Sequence, residues 1–71
     1  MTKRKSVLKK IRAASRRHGY AFTIFREGAN HTIYDIDGTR IPIGRHSELD
    51  NDYVRIIYKE LEPKLGKDWW R

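Results

Sequence analysis

The chain has 71 residues, no cysteine, and 16 lysines and arginines against nine acidic residues, for a formal net charge of +7. One domain spanning residues 1–71 fits that length, and it buries only roughly 60% of the surface the unfolded chain exposes, which excludes a deep pocket for a large organic cofactor. The missing thiol excludes a disulfide framework, a thiolate zinc site and a cysteine nucleophile, and is compatible with a reducing cytoplasm. No apolar run reaches the length of a membrane span, so no membrane partner is expected.

The charge is placed unevenly. Lys3, Arg4, Lys5, Lys9, Lys10, Arg12, Arg16 and Arg17 precede residue 19 with no acid among them, while the rest of the chain carries eight bases and nine acids. A one-sided field of this kind attracts polyanions and raises encounter rates with them. Within it, Ser6 reads as an N-cap, and Val7, Leu8, Ile11, Ala14 and Ser15 follow at helical spacing. Gly19 supplies a stop, predicting a helix over residues 7–18 with an apolar stripe and a basic back. His18 falls at its carboxyl end, where a protonated imidazole meets the helix dipole favourably, a structural role.

"YAFTIFR" (20–26) is rich in aromatic and β-branched residues and reads as a strand. "HTIYDI" and "TRIPI" flank Asp37-Gly38, a strong signal for a type I′ hairpin. In that register Ile36 opposes Thr39, Tyr34 opposes Ile41 and Thr32 opposes Ile43, and these residues share the buried face. His31, Ile33, Asp35, Arg40 and Pro42 take the other face. Pro42 lacks a donor, so its strand belongs at a sheet edge.

Asp50 is placed to cap a second helix, with Leu49 and Val54 as a hydrophobic staple. Val54, Ile57, Tyr58 and Leu61 form its stripe, Pro63 ends or kinks it, and Trp69 and Trp70 are expected to pack back on the core. The fold class predicted is α+β, in the order α-β-β-β-α. It has a three-stranded antiparallel sheet with both helices on one face, leaving the face that carries His31 open.

The segments "LKKIRAASRRHGYAF", "GANHTIY", "DGTRIPIGRH" and "IIYKEL" together resemble the HicA toxins of prokaryotic toxin–antitoxin pairs, which share the plan of a double-stranded RNA-binding domain. The likeness runs over most of the chain and rests on the order and spacing of short pieces. It implies a ribonuclease acting on messenger RNA without a metal or cofactor, inhibited by a HicB-like antitoxin protein. The family's functional histidine falls on His31. Where the family carries Gly-Ser before that histidine, this chain has Ala29-Asn30.

The chemistry suits the residues. RNA supplies its own nucleophile, the 2′-hydroxyl, and needs proton transfer and charge stabilisation, for which an imidazole titrating near pH 6.5 is well matched. His31 is the candidate general base or acid. Antiparallel pairing carries His46 to the same end of the hairpin, making it the candidate second imidazole across one phosphate. Arg45, with Arg26 or Arg40, is placed to neutralise that phosphate. Lys9, Lys10, Arg16 and Arg17 are candidates for holding the flanking backbone. No metal site is expected, because alternation leaves only His31 and Asp35 on one face, about 13 Å apart by strand rise. By residues alone two other readings stand beside this one: a non-catalytic RNA-binding module of the same fold, and a domain whose basic helix docks an acidic protein.

Overall fold

The computed structural model describes residues 1–71. A short strand β1 (Thr2–Lys3) leads into helix α1 (Arg4–Arg17), followed by strands β2 (Phe22–Glu27), β3 (His31–Ile36) and β4 (Thr39–Gly44). A second short strand, β5 (Glu48–Leu49), precedes helix α2 (Asn51–Glu60) and a single turn, α3 (Glu62–Leu65). β2, β3 and β4 form an antiparallel meander in that order, and β1 pairs with β5 in a separate two-stranded ladder. The α-β-β-β-α layout is the one the sequence predicts, with the small ladder added. No helix is long and apolar enough to cross a membrane.

The β3–β4 hairpin has the expected register: Thr32 opposes Ile43, Tyr34 opposes Ile41 and Ile36 opposes Thr39. Asp37 and Gly38 take φ of 49° and 90°, the left-handed geometry of a type I′ turn, where a glycine is favoured at the second position. The Asp35 carboxylate accepts from the Gly38 N–H at 2.8 Å, and Lys64 reaches the Asp37 carboxylate at 3.0 Å, tying the turn to α3.

Val7, Ile11 and Ala14 of α1 and Val54, Ile57 and Tyr58 of α2 are buried with Tyr34, Ile36, Ile41 and Ile43, so both helices cover one sheet face. His31, Arg40 and Pro42 on the opposite face are exposed. β2 departs from the strand expected. It begins at Phe22, a bulge shifts its register between Ile24 and Arg26, and Ile24 and Phe25 are 56% and 47% exposed. Arg40 stacks over Phe25 at 3.8 Å, covering part of that apolar surface with a cation.

Ser6 is not the N-cap. α1 starts three residues earlier than a Ser6 cap would place it, its capping position is Lys3, and no side chain caps it. The start is fixed by tertiary pairing instead: Thr2 and Lys3 lie opposite Leu49 and Glu48, and the Arg4 N–H donates to the Ser47 carbonyl at 2.9 Å. Asp50 does cap α2, accepting from the N–H groups of Asp52 and Tyr53. α2 ends before Pro63, which sits in the first turn of α3.

At the carboxyl end, Tyr58 meets Trp69 edge-on at 5.0 Å and Trp70 in a stacked arrangement at 5.7 Å. Trp69 Nε1 donates to the Tyr58 carbonyl at 2.8 Å, so the tail packs back as its composition suggests. His18 Nε2 lies 3.0 Å from the Leu65 carbonyl, an oxygen that can only accept, so this nitrogen carries the proton. The ring also stacks on Tyr20 at 5.3 Å. His18 thus fastens α1 to α3.

Candidate active site

His31 opens β3 directly opposite Gly44, the last residue of β4, and His46 follows two residues later. Both are exposed and line one open groove of about 520 Å³ with Ser47, Glu48, Asp50 and Tyr53. The hairpin brings the two imidazoles to one end of the sheet, as its pairing requires. Tyr53 holds the wall between strand and helix: its hydroxyl accepts from the Gly44 N–H at 3.2 Å and donates to the Pro42 carbonyl at 3.3 Å. That contact covers the free edge of β4, the strand in which Pro42 offers no donor of its own.

The loop before His31 is tightly folded. The Gly28 N–H donates to the His31 carbonyl at 2.8 Å, and a Cβ on Gly28 would lie 3.2 Å from that oxygen, so glycine suits the close approach. Arg45 then binds the loop from outside. Its Nη1 donates to Glu27 Oε1 and to the His31 carbonyl, each at 2.9 Å. Its Nη2 donates to the carbonyls of Gly28 and Ala29 at 2.5 and 2.6 Å. A guanidinium so engaged orients the backbone that carries His31 rather than pointing freely at a ligand.

The network continues inward. Glu27 Oε1 also accepts from the Thr32 hydroxyl at 2.7 Å, and that oxygen accepts from Arg4 Nη2 at 3.3 Å. Arg4 further donates to the Tyr34 hydroxyl at 3.1 Å and, through Nε, to the Gly44 carbonyl at 2.8 Å. Arg4 is therefore a structural cation, linking α1 to both strands beneath the histidines. Its neighbours Lys3 and Lys5 face a second hollow of about 540 Å³, shared with Arg45, Ser47 and Glu48 and adjoining the histidine groove. Neither lysine has an ion-pair partner. Counting charges placed both in the basic segment, but only the β1–β5 pairing, invisible in two-residue strands, sets them beside the groove.

The remaining candidates divide between two places. Lys9, Lys10 and Arg17 border a hollow walled by Trp69 and Trp70, whereas Arg16 lies with Arg12 beside Tyr20 and Phe22. Lys10 is partly engaged, donating to the Trp70 carbonyl at 2.9 Å. Arg40 pairs with Asp35 at 3.6 Å, on the open sheet face rather than in the groove, and Arg26 has no ion-pair partner. No three His, Asp or Glu side chains stand close enough together to hold a metal ion.

Chemically, the groove offers two titratable imidazoles, a hydroxyl-bearing wall and two carboxylates, with free lysines one hollow away. Such a set can move protons and hold an anion alongside. No protein-family model, curated protein or solved structure matches the chain.

Proposed function

We propose that this chain is a HicA-type toxin, an endoribonuclease that cleaves messenger RNA and is neutralised by a HicB-like antitoxin. The observation that carries the reading is the exposed His31 imidazole sharing one open groove with His46 at the end of a basic molecule. In the mechanism, one histidine takes the proton of the ribose 2′-hydroxyl as O2′ attacks phosphorus. The P–O5′ bond breaks, and the other histidine, or water, protonates the leaving O5′. The products are a 2′,3′-cyclic phosphodiester and a 5′-hydroxyl. General acid–base help of this kind is worth about 10²–10⁴ in rate. Lys3 and Lys5 supply cationic charge near the phosphate, while Arg45 holds the loop.

The test is induction in cells of the wild type and of His31→Ala, with growth and transcript integrity followed. Growth arrest with fragmented messages, lost in the variant and relieved by a co-expressed HicB-like protein, is the expected result. Intact RNA under wild-type induction would leave a non-catalytic RNA-binding module as the better account.

A further inference from the structure

We propose that the carboxyl-terminal tryptophans and the middle turns of α1 form a base-stacking site for single-stranded RNA, distinct from the histidine groove. The two indoles are used differently. Trp69 is a packing residue: it meets Tyr58 edge-on and its Nε1–H is satisfied by the Tyr58 carbonyl. Trp70 lies flat against Tyr58, is half-buried, and has its carbonyl pinned by Lys10. One face of its ring is thus backed by an aromatic support. Together the two tryptophans wall a surface hollow of about 380 Å³.

The other charged residues around that hollow are Lys9, Lys10, Arg17 and Arg71, with no acid among the lining residues. Lys9 and Arg17 have no ion-pair partner. This contrasts with the histidine groove, where Glu48 and Asp50 contribute negative charge. Arg71 pairs with Asp68 at 3.7 Å and lies 5.9 Å from the Trp70 ring centre, a place a base would take by displacing it. An indole on a rigid backing, with Lys9 and Arg17 unpaired beside it, supplies the two components of single-strand recognition: a ring for the base and positive charge for the backbone. A duplex hides its base faces and would leave the tryptophan without a role. An acidic peptide would use the cations and not the ring.

The site also has a direction. Lys5, beside the hollow next to the histidines, and Lys9, at the tryptophans, are four residues apart on α1, a rise of about 6 Å. A strand gripped at Trp70 can therefore cross the first turns of α1 toward the groove. The inference rests on the RNA-binding part of the proposed function and is independent of cleavage.

The chain has two tryptophans and both lie at this site, so intrinsic fluorescence reports it directly. A short oligouridylate is expected to quench the emission saturably, with a blunt RNA duplex and polyglutamate doing so far less. Trp70→Ala is expected to weaken oligouridylate binding, read by anisotropy, by about 5- to 150-fold. Arg55→Ala, at an exposed position of α2 that lines neither hollow nor the histidine groove, leaves both readouts unchanged. Should Trp70→Ala fail to fold, wild-type quenching and its loss in Lys9→Glu/Arg17→Glu decide. Absence of quenching, equal response to duplex or polyglutamate, or full affinity in a folded Trp70→Ala protein overturns the site. Quenching without any cleavage supports it and sinks the nuclease reading, whereas cleavage without quenching does the reverse.

Discussion

Replacing Arg45 by alanine separates a residue that shapes the site from one that touches substrate. The guanidinium makes four hydrogen bonds, one to the Glu27 carboxylate and three to the carbonyls of Gly28, Ala29 and His31. All are at the surface, where water can replace the lost donor, so each carbonyl bond is taken at the low end, about 0.5 kcal/mol. The exposed ion pair adds about 0.5 kcal/mol. The sum is about 2 kcal/mol, which for a domain of this size lowers Tm by roughly 8–16 °C. Arg45→Lys keeps a charge for Glu27 but cannot present a planar fork to three carbonyls, so it is expected to recover about a quarter of that loss. Thermal unfolding followed by circular dichroism measures both. A melting temperature for Arg45→Ala within about 2 °C of wild type, or full recovery by lysine, would refute the loop-binding account and return Arg45 to the role of a free phosphate ligand.

Three other outcomes follow from the same structure. If four of the cations Lys9, Lys10, Arg16 and Arg17 each neutralise a phosphate of single-stranded RNA, the log–log salt dependence of binding has a slope of about −3, and a slope near zero would remove α1 as the contact. Leu61 is fully buried at the junction of α2 and α3, so Leu61→Ala is expected to destabilise by about 2–5 kcal/mol, enough to unfold much of a marginal domain, as denaturant titration would show. Burial pushes the Tyr58 phenol above its ordinary 10.0, so the unfolded chain loses that proton first. Stability is therefore full below about pH 10 and falls as pH rises through the folded value, a fall that Tyr58→Phe should lessen in alkaline denaturation.

The sequence was informative where a feature is local and repeated. Asp37-Gly38 with its alternating flanks determined the hairpin register, and that register alone placed His31 and His46 at one end of the sheet. The stripes on α1 and α2 identified the covered face. What could not be read locally was decided by long side chains and short pairings. Ser6 is a good capping residue by type, yet β1 pairing with β5 carries the helix start past it to Arg4. Arg4 and Arg45 look alike as basic residues near the site, and both are absorbed into hydrogen bonds whose acceptors lie 14 to 40 residues away. The free cations beside the groove are instead Lys3 and Lys5. The aromatic and β-branched run of β2 marks a strand but not its burial: Phe22 packs against the core, while Ile24 and Phe25 stay exposed.

The central claim is that the His31 imidazole moves a proton during RNA cleavage. Purified protein incubated with a single-stranded messenger fragment in the presence of a chelator, followed by mass spectrometry of the new ends, tests it most directly. The account predicts 2′,3′-cyclic phosphate and 5′-hydroxyl termini from the wild type, formed at least about 100-fold more slowly by a folded His31→Ala protein. Uncut RNA, or equal rates from the two proteins, would contradict it.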